Sequence, residues 1–199
     1  REMMSPAAAL EWLGTSFGSR ATSTDLGLVA AAFGGPAVGQ LTGDATPEVA
    51  APTVGIRQAL DNLLPGDQHG ETQLTAWDGR TGEALAGFPH RTSDLGFFVT
   101  PAIVDVDGDG DNDVVAGNGV DLLDAVDAEG NDAPGFPKLT GGWVVGTPAF
   151  GDLDGDGLAE LAITRRDGQL LVWHTRAPVA SLDQWPRFGH DGRNSGTVP

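Results

Sequence analysis

Two nine-residue segments, 47 residues apart, limit what this chain can fold into more than any other feature. Residues 105–113 read Asp-Val-Asp-Gly-Asp-Gly-Asp-Asn-Asp, and residues 152–160 read Asp-Leu-Asp-Gly-Asp-Gly-Leu-Ala-Glu. Both place acidic residues at positions 1, 3, 5 and 9 and glycine at positions 4 and 6. Carboxylates this close repel one another by roughly 1 kcal/mol per pair at about 4 Å in water, and by several-fold more where solvent is partly excluded. A hard cation removes that repulsion. The loops offer oxygen alone, with no His or Cys within them or immediately beside them. This suits Ca2+ better than zinc or copper, and Mg2+ would keep more of its water.

The spacing also selects the kind of loop. An EF-hand needs a bidentate Glu at position 12 and an exiting helix, whereas position 12 falls here on Ala116 and Ile163. Short apolar runs flank each loop instead, at residues 101–104 and 114–116 and again at 148–150 and 161–164. Runs of this length, rich in β-branched residues and bounded by Gly and Pro, read as strands. Each loop is therefore expected to join two antiparallel strands and to turn its carboxylates toward one ion. The expected ligands of the first are Asp105, Asp107, Asp109 and Asp113 through side chains and Asp111 through its carbonyl. Those of the second are Asp152, Asp154, Asp156 and Glu160, with Leu158 through its carbonyl. A leucine at position 7 fits a backbone ligand, which allows any side chain. Gly108, Gly110, Gly155 and Gly157 permit the tight turns.

Other landmarks share the period. Pro101 and Pro148 stand 47 residues apart, and Pro89, Pro137 and Pro186 recur at steps of 48 and 49. An earlier unit aligns with them, from Gly35, Pro36, Ala37 and Val38 into residues 40–48. There Gln40 and Thr42 replace the first two aspartates and leave Asp44 and Glu48, so this loop reads as a turn without tight metal binding. Its unit is 65 residues long, and the surplus lies at 56–71, where apolar residues at 56, 59, 60, 63 and 64 have helical spacing before Pro65 and Gly66. An insertion of this kind is a candidate partner contact. The chain thus divides into a lead-in at 1–34, a unit at 35–99 with the insertion, a calcium-binding unit at 100–146, and a second at 147–199 with a closing segment. Within the lead-in, a short helix at 6–13 or an irregular entry is expected, and a strand over 26–33.

The pattern Asp-x-Asp-Gly-Asp-Gly-x-x-Asp/Glu between strands, with Thr-Pro-Ala before it and Gly-Phe-Pro after it, resembles the FG-GAP or VCBS repeats of integrin-α-like β-propellers. The resemblance implies an all-β fold of four-stranded antiparallel blades, each acidic loop holding calcium within its blade. Residues 185–191, Trp-Pro-Arg-Phe-Gly-His-Asp, resemble the segment that closes bacterial propellers of this sort. Trp185 and Phe188 are accordingly expected to pack between blades. Three units do not close a ring of four to eight blades, so the chain is expected to be the C-terminal part of a larger propeller or a subunit completed by another chain. Families with related blades scaffold many functions. Three are left open: a calcium-braced interaction or structural module, a carbohydrate-active propeller (polysaccharide lyase or lectin-like), and an accessory subunit of a multi-chain complex. No catalytic residues are assigned; His190 and Asp191 lack a nucleophile or third ligand beside them, and His69, His90 and His174 read as isolated.

Composition bears on partners and compartment. A net charge of −17, with only 11 Lys and Arg, argues against nucleic acid or anionic membrane as a partner. The expected partners are other propeller blades or another protein chain, with a glycan as the alternative. No run of 18 apolar residues is present for a membrane span. The absence of cysteine excludes thiol chemistry and a disulfide framework. Exposed acidic loops work where calcium is millimolar, so the chain is expected outside the cell, at its surface or in the periplasm. The opening residues, Arg1 to Pro6, show no signal peptide and read as a processed or incomplete start.

Overall fold

The computed structural model describes residues 29–31, 34–55, 72–94, 96 and 98–196. The expected helices at 6–13 and 56–64 lie outside these residues, and of the strand expected over 26–33 the structure describes Val29–Ala31. Among the described residues the chain is all-β, in three antiparallel sheets with one 3-10 turn at Val179–Ser181. Sheet one contains β1 (Val29–Ala31), β2 (Ala37–Gly39), β3 (Glu48–Gly55), β4 (Thr72–Asp78) and β5 (His90–Arg91). Sheet two is β6 (Ala102–Val104), β7 (Asp113–Gly117), β8 (Leu122–Val126) and β9 (Lys138–Leu139), in that order. Sheet three is β10 (Val144–Gly151), β11 (Leu158–Arg165) and β12 (Leu170–Pro178).

Strand numbers depart from four per sheet at both ends. In sheet one, β1 pairs with the Thr53 end of β3 and β2 with its Glu48 end, so the two share one edge of β3. In sheet three a single strand, β10, does that work, crossing a register shift between Val145 and Ala149. Sheet three lacks a fourth strand among the described residues. Its chain continues β12 to Pro178, enters the 3-10 turn and then leaves the sheet.

The departing tail ties the three sheets together with three successive residues. The Gln184 side-chain oxygen accepts from the Gln40 amide at 2.9 Å. Trp185 exchanges both backbone hydrogen bonds with Ile103 of β6, at 3.0 and 3.1 Å, and the Pro186 carbonyl accepts from Phe150 of β10 at 3.0 Å. Trp185 is 7% exposed and packs in the core between sheets one and two. Phe188 corrects the expectation: it is 64% exposed, because the segment turns away from the sheets after Pro186.

The registers of the three sheets correspond. Ala37, Ala50 and Ala76 are paired neighbours in sheet one, Ala102, Val115 and Ala125 in sheet two, and Ala149, Ala162 and Val172 in sheet three. Because side chains alternate across a strand, each set lies on one face. In sheet one this face packs on Ile103, Val114 and Val126 of sheet two. In sheet two it packs on Phe150, Leu161 and Ile163 of sheet three. In sheet three the same face is open among the described residues: Leu170 is 64% exposed and Val172 44%.

Glycines let the sheets approach. A Cβ on Gly87 would lie 2.0 Å from the Glu129 carbonyl carbon, and one on Gly130 would lie 2.1 Å from the Gly87 oxygen. These are backbone atoms, which cannot swing aside. Gly87→Ala is therefore expected to cost about 1–3 kcal/mol, the range for overpacking, as a lower urea midpoint with unchanged slope. A loss below about 0.5 kcal/mol, typical of an unconstrained surface position, would show that the two turns separate freely.

Candidate metal centres

Each acidic loop is built by its own aspartates accepting backbone N–H groups. In loop one, Asp105 Oδ1 accepts from Gly108 at 2.7 Å and Asp109 at 3.1 Å, while Oδ2 accepts from Gly110 at 3.1 Å. Asp107 accepts from Asp109, and Asp109 from Asp111. Loop two repeats the scheme: Asp152 takes Gly155 at 2.6 Å and Gly157 at 3.1 Å, Asp154 takes Asp156, and Asp156 takes Leu158. Short polar side chains that bond the chain two or more residues ahead favour turns over helix. The glycines at positions 4 and 6 adopt φ between +80° and +103°, a region where a side chain is strained.

The ninth residue closes each loop. Asp113 accepts from the Val106 amide at 3.0 Å and Glu160 from Leu153 at 2.7 Å. Glu48 in the degenerate loop does the same for Leu41 at 2.6 Å. This bond works without metal, so the first turn keeps its shape with Gln40 and Thr42 in place of aspartates; the Thr42 hydroxyl itself donates to Glu48.

Carboxylate oxygens of Asp105, Asp107 and Asp113 lie within 4.8 Å of one another, as do those of Asp152, Asp154 and Asp156. These acidic groups can hold a metal ion. Asp109, exposed, stands outside the first grouping with its Oδ1 on the Asp111 amide, and Glu160 groups with Asp154.

The two loops differ in burial. Asp105 and Asp113 are 4% and 5% exposed, because loop one is held from both sides. The Asn112 side chain donates to the Gln40 carbonyl at 2.9 Å, and the Arg176 amide of β12 donates to Val106 at 3.3 Å. In loop two, Asp152, Asp154 and Asp156 are all exposed and only Glu160 is buried. Burial pushes the Asp113 carboxyl up to about 7, with repulsion from Asp107, Asp109 and Asp105 adding to it. Burial likewise raises Asp107, and Asp109 and Asp105 repel it further.

His174 was expected to be isolated, and the structure corrects this. Its Nδ1 stands 2.8 Å from Glu160 Oε1 and 4.0 Å from Asp154 Oδ2. The register explains the meeting: His174 on β12 lies directly opposite Glu160 on β11. His190 and Asp191 do not form a pair of ligands. The His190 ring lies edge-on to Trp185 with Nε2 at the Asp183 carbonyl, while Asp191 caps the Arg193 and Ser195 amides. Those amide bonds, Ser195 first, hold the Asp191 carboxyl below its usual range.

A second buried acid lies away from the loops. Asp124 is 5% exposed; burial pushes its carboxyl up to about 6, against the opposing pull of His90 and the Asn118 amide. A raised folded value means that the folded chain holds a proton the unfolded chain has released, between about pH 4 and pH 6. Stability contributed here falls as pH rises through that window. Asp124→Asn is expected to remove the fall, gaining on the order of 2 kcal/mol over wild type between about pH 4 and pH 7. Urea unfolding at the two pH values checks it; a difference that does not change with pH would place the carboxyl in water.

No family model matches the chain, and no curated protein matches it.

Proposed function

We propose that both acidic loops bind calcium and that the chain is a set of β-propeller blades serving as an interaction or structural module of an exported or surface protein. The observation that carries this reading is the gathering of three carboxylates in each loop, in loop one with two of them buried and Asp113 pushed up to about 7. Groups buried this way are costly as bare anions, and a dication with oxygen ligands turns that cost into affinity. In this reading Asp105, Asp107, Asp109 and Asp113 with the Asp111 carbonyl hold the first ion. Asp152, Asp154, Asp156 and Glu160 with the Leu158 carbonyl hold the second. The open face of sheet three, with Leu170 and Val172, is where a further blade or another chain packs.

Native mass spectrometry tests the reading. Two calcium ions per chain are expected, with Asp107→Ala and Asp154→Ala each removing one. A chain that binds none in millimolar calcium, or two in both variants, would overturn it.

A second reading, an acidic-glycan binder, draws on one observation. The Arg166 guanidinium lies 4.8 Å from the Trp143 ring centroid, beside Arg165, in a cleft of about 390 Å³. An aromatic face with guanidinium groups suits a uronate ring. Binding of oligouronates that is lost in Arg166→Ala would raise this reading above the first.

A further inference from the structure

Loop two has a chemistry that loop one lacks, and a single strand position creates it. In sheet one the residue opposite the ninth loop position is Asp78, paired with Glu48. In sheet two the matching residue is Asp127, which follows Val126, the partner of Val114. Both aspartates start turns in which Oδ1 accepts from the local backbone: Asp78 from Arg80 and Thr81, Asp127 from Glu129 and Asn131. In sheet three the strand runs on to Pro178, no turn forms at that point, and the position is His174. Its ring is thereby free of the turn and directed at the loop.

We propose that His174, Glu160 and Asp154 form a mixed nitrogen and oxygen site for a borderline divalent cation, with Zn2+ as the defining probe. The three ligand atoms come from three separate places: position 3 of the loop, position 9 of the loop and the neighbouring strand. They lie within 4.8 Å of one another. Ligand atoms around tetrahedral zinc stand about 3.3 Å apart, given metal–ligand distances near 2.0–2.1 Å. The observed 2.8 Å and 4.0 Å separations from Nδ1 lie on either side of that value, so small side-chain rotations suffice. The third ligand is already oriented, since Glu160 is 5% exposed and its other oxygen is fixed by the Leu153 amide. His174 and Asp154 have side chains 75% and 50% exposed, which leaves the cation's remaining position open to water. Imidazole nitrogen favours zinc and its neighbours over calcium. Loop one groups only carboxylates and keeps no such preference.

The site shares Asp154 and Glu160 with the proposed calcium set, so it refines that reading for loop two, while its test reads zinc. The metal-free full chain is titrated with Zn2+ by calorimetry, alone and with calcium in excess, for wild type, His174→Ala and Asp107→Ala. One zinc per chain is expected, with His174→Ala weakening it about tenfold or more and Asp107→Ala leaving it unchanged. The substituted ring is exposed, so the variant folds. Histidine ring nitrogen spectra supply the second measurement, because the chain has four histidines and zinc is expected to move only the His174 resonances. Zinc affinity within twofold of wild type in His174→Ala, or shifts at another histidine, would overturn the proposal. Calcium binding at both loops together with that result would leave the calcium reading standing. Zinc lost in His174→Ala with no calcium bound at either loop would do the reverse.

Discussion

Stripping calcium with a chelator is expected to lower the melting temperature of this chain by about 5–10 °C. The size follows from linkage: an ion that binds only the folded state adds about 2.7 kcal/mol at a hundredfold excess over its Kd, and each kcal/mol moves the transition of a 150–250-residue chain by about 2–4 °C. The loss is also pH-dependent, with a sign that Asp113 sets. Without metal the Asp113 carboxyl is held at about 7 by burial first and by its neighbours second. The folded chain therefore retains a proton that the unfolded chain loses above about pH 4. Stability of the chelated chain falls as pH rises from about 4 to about 7. Calcium reverses the trend, because the bound ion favours the ionised carboxylate and its affinity grows as the proton leaves. Asp113→Asn is expected to remove the share of the chelated chain's pH dependence that Asp113 contributes, leaving that of Asp124, and to remove most of the calcium response of loop one. Thermal scans in chelator and in millimolar calcium at several pH values check both. Equal melting temperatures with and without calcium would refute the bracing role.

Loop two is expected to respond less in the same experiment. Its aspartates at positions 1, 3 and 5 are exposed, so their mutual repulsion is screened by water, and ion binding there relieves less strain on the fold. The asymmetry comes from neighbours. Loop one lies between Gln40 of sheet one and Arg176 of sheet three, while loop two belongs to the sheet whose outward face is open.

That contrast marks what the residues alone could and could not reveal. Strands on either side of each loop were legible because alternation, β-branched residues and Gly or Pro boundaries are local: β6 and β7 begin and end within a residue of the runs that announce them. The gathering of Asp105, Asp107 and Asp113 was legible for the same reason, since nine residues contain all of it. His174 was not. It reaches Glu160 through strand pairing, and the clue was positional: it stands one period after Asp127, where a turn residue was due. The path of the tail was harder still, because Trp185 meets Ile103 across 82 residues of chain, a pairing that no local pattern announces. That sheet three has no fourth strand among the described residues follows from that path, since the residues after Pro178 are used to cross the other sheets.

Trp185→Ala is expected to be the most damaging single substitution in the tail, costing about 3–5 kcal/mol, the range for truncating a buried aromatic. Trp185 is 7% exposed within the core that joins sheets one and two, and its loss leaves a cavity lined by the fully buried Ile103 and its neighbours. The backbone bonds between Trp185 and Ile103 survive truncation in principle, but without the side chain they hold an exposed strand with little to anchor it. Trp185→Phe separates volume from polarity. The indole N–H meets no protein acceptor, so phenylalanine forfeits no hydrogen bond and is expected to recover more than half of the loss. Phe188→Ala, at a side chain 64% exposed, is the control and should stay within about 0.5 kcal/mol of wild type. If Trp185→Ala proved as mild as Phe188→Ala, the tail would be a passenger on the sheets. The expected order, Ala far below Phe and Phe near wild type, would make residues 184–186 the element that holds three separately paired sheets in one stack.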